Sequence, residues 1–126
     1  MIDHERIMLV YLQLADVAHR KRQTLGRGRF LVLGGAAALR AGWPAVAERC
    51  RTAVLGEAPR HLLSRYPSFA DAMRDADFKP FLTRTEKFCP FEQAESLLDG
   101  LGLTPEDARQ SDDESLGDIA MRLVGE

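Results

Sequence analysis

The sequence predicts an all-α protein: a compact helical bundle around a buried αα-hairpin, with several short helices in the C-terminal half. Three observations carry that prediction. Residues 30–39 read Phe-Leu-Val-Leu-Gly-Gly-Ala-Ala-Ala-Leu, without one charged or polar side chain, and a helix apolar all round belongs inside a packed protein or a membrane. Such a helix spans about 15 Å, half of a hydrocarbon core of roughly 30 Å, so burial in protein is expected. Elsewhere apolar residues recur at three and four, and nowhere do they alternate with polar ones over five positions as a strand requires. Helix caps and prolines then cut the second half into short pieces.

The first helix is expected from Asp3, a good N-cap, to about Arg22. Ile7, Val10, Leu14 and Val17 form its apolar stripe, and Asp16 and Arg20 stand four apart, as an ion pair needs. The segment that follows, residues 19–29, carries five cations and two glycines and reads as a basic loop. Next comes the buried rod of residues 30–41, its small residues letting neighbouring helices approach closely. Two adjacent glycines, Gly34 and Gly35, each cost about 0.5–1 kcal/mol in a helix interior, which close packing must offset. Gly42 suits the left-handed residue ending the rod, and Pro44 suits the first turn of the helix that returns to Leu55. On that returning helix Val46, Cys50, Ala53 and Val54 share one face, with Glu48, Arg49, Arg51 and Thr52 on the wet one.

The hairpin's signature resembles one tetratricopeptide-repeat unit over about residues 27–59. Phe30, Leu33, Gly34 and Ala37 stand at the spacing of that family's first helix, and Leu33-Gly34 is the closest match. Ala47 and Pro59 suit the second helix and its end with the register slipped by one. The family's aromatic near Ala37 is missing, as is the one near Cys50 or Arg51, and no second copy recurs at a period near 34. The resemblance implies a hairpin used for protein–protein contact.

Beyond Pro59 a short helix with Leu62, Leu63 and Tyr66 inward is expected, stopped by Pro67. Ser68 with Asp71 is a capping box opening a helix that buries Phe69 and Met73. Asp77 caps the next, whose aromatic stripe is Phe78, Phe81, Leu82 and Phe88; core packing or an aromatic pocket for a small ligand both suit it. Pro90 starts a helix with Phe91, Ala94, Leu98 and Leu101 at helical spacing. Thr104-Pro105-Glu106-Asp107 reads as a further helix start. A polar run at residues 110–114 leads to a last amphipathic helix with Leu116, Ile119, Ala120 and Leu123 inward.

A chain of 126 residues is one domain with enough length for a core, and 45% hydrophobic and 29% charged residues are ordinary for a soluble globular protein. The charge is unevenly placed. Residues 1–91 hold 15 Lys/Arg against 9 Asp/Glu, and residues 92–126 hold 2 against 10. Either the acidic segment docks on the basic part or the two meet different partners. The N-terminal residues lack a basic n-region and a small-residue cleavage site, so no signal peptide is read. With only Cys50 and Cys89, and no Cys-x-x-Cys, a reduced cytoplasmic protein is expected.

No catalytic residue, metal site or cofactor is assigned. His4, His19 and His61 have no ligand partners at useful spacing, and Ser64 near His61 lacks an orienting acid. Two functional classes follow. One is an interaction or scaffold module binding a protein partner or a second copy of itself, with Arg49, Arg51, Arg60, His61 and Arg65 beside its groove. The other is an anion or nucleic-acid binder using Arg20, Lys21, Arg22, Arg27 and Arg29, where guanidinium groups and exposed N–H groups suit phosphate.

Overall fold

A computed structural model describes residues 2–125 and is helical throughout, with no strand among them. The helices are α1 His4–Arg20, α2 Thr24–Ala41, α3 Pro44–Glu57, α4 Phe69–Arg74, α5 Phe78–Phe88, α6 Phe91–Gly100 and α7 Leu116–Val124. Single 3-10 turns occupy Leu62–Arg65 and Pro105–Ala108. The largest interface is α1 against α2, followed by the α2–α3 hairpin; α4 and α5 cover one side of the hairpin, α6 lies on α1, and α7 lies on α1 and α3.

The rod sits where its composition puts it. Residues 30–38 are all buried. A methyl group on Gly34 would overlap the Leu12 side chain of α1, and one on Gly35 would stand 2.5 Å from Phe69 Cε2 of α4. The adjacent glycines are therefore the contact points of α2 with two different helices, and the dispersion gained there offsets their poor helix propensity. Gly42 (φ 88°) closes α2 in the left-handed region, and Pro44 opens α3.

Two boundaries differ from the sequence reading, with consequences for the basic segment. Helix α1 ends at Arg20, and Arg22 takes the left-handed backbone (φ 58°) that turns the chain. Helix α2 begins at Thr24, six residues before the rod, so most of the expected loop is helix. Gly26 and Gly28 are weak helix formers, but the backbone ladder is already running there, with Arg27 N–H donating to Gln23 O (2.9 Å).

In the second half Asp3, Ser68 and Ser115 each accept from the backbone N–H three residues on, capping α1, α4 and α7. Asp77 makes no such cap on α5; Asp75 Oδ1 instead accepts from Asp77 N–H (2.9 Å). The Thr104-Pro105 start yields only one 3-10 turn, closed by Asp107 Oδ2 accepting from Thr104 N–H (2.7 Å). Helix α6 ends at Gly100, as that glycine signals, and Leu101, at helical spacing with Leu98, is 45% exposed just beyond it.

The acidic segment does fold onto the rest: Glu95 pairs with Arg6 of α1 (3.0 Å), while among the described residues Arg27 of the basic segment meets a carbonyl, Val124 O, and not an acid. Gly117 lets α7 lie flat on Trp43, where an added methyl would be 2.5 Å from Cζ3. Trp43 Nε1–H donates to Glu5 Oε2 (2.9 Å). The polar run at 110–114 is tied internally: Arg122 donates to Ala108 O (2.8 Å) and to Glu114 Oε2, and Arg109 donates to Glu114 O (2.6 Å).

Candidate functional site

The first turns of α2 face the end of α3 and the middle of α5 across a gap. The gap is a cleft of about 340 Å³. Leu31, Val32, Ala53, Val54 and Phe81 make an apolar floor, Gly28 leaves the middle open, and Leu25, 71% exposed, stands on the lip. A methyl on Gly28 would meet nothing within 4 Å, so the space above it is empty. A volume of this order is at the small end of ligand-binding cavities.

The polar groups in the wall are few. Arg27 and Arg29 flank Gly28, and two residues apart on a helix they diverge. Arg27 donates through Nη2 to Val124 O at the end of α7 (2.8 Å), while the Arg29 guanidinium lies 4.4 Å from the centre of the Phe88 ring. His61 ends the wall on the opposite side. Its Nδ1 accepts from Leu63 N–H (3.1 Å), which leaves the hydrogen on Nε2, and its ring meets Phe81 edge-on at 5.2 Å. Burial holds His61 below its ordinary pKa, so at neutral pH it is an uncharged ring with one free N–H. Thr85 donates its hydroxyl to Phe81 O (2.9 Å). Glu57 is the one acid in the lining. The N-terminus of α2 adds to the positive side: Gln23 makes no capping bond, and the first turn carries no acid.

These groups can hold a ligand that joins an apolar body to a hydrogen-bond acceptor or negative charge. No carboxylate or nucleophile is hydrogen-bonded to His61 among the described residues. Nor do any three His, Cys, Asp or Glu side chains there gather closely enough to hold a metal ion. No described helix is long and apolar enough to cross a membrane. A second cleft, between α1, α2, α5 and α6, is larger at about 430 Å³. The Arg40–Glu86 pair spans it at 4.0 Å, and its Tyr11 hydroxyl is already donated to Cys89 O (2.8 Å).

The ten residues singled out from the sequence are dispersed. Arg20 pairs with Asp16 (2.9 Å), and Lys21 and Arg22 are exposed in the turn before α2. Arg27 and Arg29 alone of that group reach the cleft. Of the groove group only His61 lines it; Arg60 stands exposed between two lining positions, Ala58 and His61, and Arg65 is exposed farther on. Arg49 is half-buried on α3.

Arg51 is not on the wet face at all. It donates to Tyr66 O (2.7 Å) and to Glu48 Oε1 (3.4 Å), while Glu48 Oε2 accepts from Phe69 N–H (2.6 Å) at the start of α4. The pair staples α4 to α3, so Arg51 belongs to the architecture. Sequence reasoning missed Leu25, Glu57 and Thr85; for Leu25 the signal was present, since Leu25, Gly28 and Val32 share a face at steps of three and four.

Comparison with protein-family models, curated proteins and solved structures finds no match for this chain.

Proposed function

We propose that the protein is a helical interaction module whose receiving surface is the cleft between α2, α3 and α5. The single observation that carries this reading is an apolar cleft held open by Gly28, with cationic groups in its wall and an exposed leucine at its lip. Both helices of the tetratricopeptide-repeat-like hairpin line it, which fits the kind of contact that resemblance implies. Exposed apolar surface rimmed by polar groups is characteristic of interaction sites. Its partner is a protein supplying a large apolar anchor accompanied by negative charge. A reducing compartment such as the cytoplasm suits the two cysteines, which are free and buried.

The alternative of a nucleic-acid binder draws less support. Its basic segment is mostly helix, which spreads the cations apart: Arg20 pairs with Asp16, Lys21 and Arg22 lie in the turn, and Arg27 and Arg29 diverge from one another on α2.

The test is peptide display selected against the wild-type protein and against Gly28→Phe. A Cβ there meets nothing within 4 Å, so phenylalanine enters the open space, and a wild-type melting profile checks that the fold holds. Peptides combining an apolar residue with acids, enriched on the wild type and lost on Gly28→Phe, are the expected result. Peptides retained equally by both proteins would place the interaction elsewhere.

A further inference from the structure

An exposed leucine and an empty apolar hollow sit side by side on one face of α2, and within one copy they do not satisfy each other. Leu25 is 71% exposed at the lip of the cleft, and a methyl on Gly28, one turn later, would meet nothing within 4 Å. Helical side chains lean toward the N-terminus of their helix. Leu25 therefore leans away from the hollow over Gly28, and both stay uncovered. A knob and a hole on the same patch are what a two-fold interface uses, since each copy then fills the other.

Resting on the interaction reading, the geometry points to a second copy of this chain as the occupant of the cleft. A two-fold axis passing between Leu25 and Gly28, with the two α2 helices antiparallel, sets Leu25 of each copy over Gly28 of the other. Because the helices run in opposite directions, each leucine then leans toward Leu31 and Val32, the apolar floor of the cleft it enters. Gly28 admits the approach because it carries no side chain.

The charges agree with this placement. Glu57, the one acid in the lining, is exposed on the α3 rim and takes part in none of the ion pairs among the described residues. Lys21 and Arg22, exposed just before α2, are likewise in none of those pairs. A copy laid across the cleft brings its α2 and these cations alongside the other copy's α3 rim. The second copy thus supplies both the apolar anchor and the negative charge. One leucine each way makes a small interface, which gives a weak and reversible dimer rather than a permanent one.

Sedimentation velocity over about 5 to 500 µM protein, the range in which small interfaces assemble, tests this. The wild type is expected to show a reversible monomer–dimer equilibrium. Leu25→Ala, which alters an exposed side chain, and Gly28→Phe, each with a wild-type melting profile, are expected to weaken it at least about tenfold. Glu57→Lys is expected to weaken it severalfold, and Leu97→Ala, an equal change at an exposed leucine of α6, to leave it unchanged. Association that survives Leu25→Ala, is indifferent to Glu57→Lys, falls equally with Leu97→Ala, or grows beyond dimers overturns the two-fold placement. A wild type monomeric throughout overturns the second-copy inference outright. The peptide selection then decides the interaction reading by itself: peptides lost on Gly28→Phe leave it standing with another protein as partner, and their absence removes both.

Discussion

Replacing Gly35 with alanine isolates the packing that holds the bundle together. The new Cβ would lie 2.5 Å from Phe69 Cε2 and 3.0 Å from Cζ, where carbon atoms prefer about 3.5–4.0 Å, so the ring must retreat by roughly 1 Å. Phe69 is fully buried and held edge-on by Phe78, 6.1 Å away, so it has no free direction. Overpacking of this kind costs about 1–3 kcal/mol, while alanine in place of a helical glycine gains about 1 kcal/mol. The net expectation is a loss of about 0–2 kcal/mol. Gly28→Ala separates the two effects, because its Cβ meets nothing, and it should gain the propensity alone. The gap between the two alanine variants is then about 1–3 kcal/mol, read from urea unfolding midpoints at constant slope. A second arm places Gly35→Ala in a Phe69→Leu background, where the clash is relieved and the two changes should couple favourably. Were both alanine variants to unfold at the same urea concentration, the claim that α2 and α4 touch at Gly35 would be refuted.

Other outcomes follow from the same contacts. Arg51→Ala should lower stability by about 1–3 kcal/mol, since it leaves Tyr66 O and Glu48 without their partner; an unchanged melt would return Arg51 to the surface. The thiols should be inert: burial pushes Cys50 up to about 12 and raises Cys89 as well, so a thiol reagent should label neither in the native state and both in guanidinium. Acid should act in two steps. The folded pKa of His61 is depressed by burial, so its contribution is complete above the ordinary 6.5 and lost as pH falls through the folded value; His61→Gln should flatten that limb. Glu114 is depressed by the Gln110 N–H and by Arg122, so its contribution is present above the ordinary 4.5 and lost lower down; Glu114→Gln should flatten only the lower limb of the pH–stability curve.

The fold class was legible because local signals agreed with one another: the charge-free rod, the Gly42–Pro44 turn and the Asp3 and Ser68 caps each dictate structure over a few residues. The candidate site was legible only in part, since it depends on which elements meet. Residues 24–29 read as a loop because glycine and arginine density is a loop signal, yet the ladder begun at Gln23 carries them into α2. That one displacement turned Arg27 and Arg29 from neighbours in a flexible anion loop into side chains on diverging faces. Arg51 was misassigned for a related reason: a charged residue at a wet position of α3 became half-buried when α4 arrived from elsewhere in the chain. Long-range partners such as Val124 for Arg27 leave no local trace.

Trp43 is the sole tryptophan, and the surface it offers is covered by Gly117 from near the other end of the chain. Its emission therefore reports the seating of α7 together with the Glu5 contact from α1, while far-ultraviolet dichroism is dominated by the long hairpin helices. Following the two signals side by side after a denaturant jump would time the closing of the bundle against the formation of its centre, with no label and no substitution introduced.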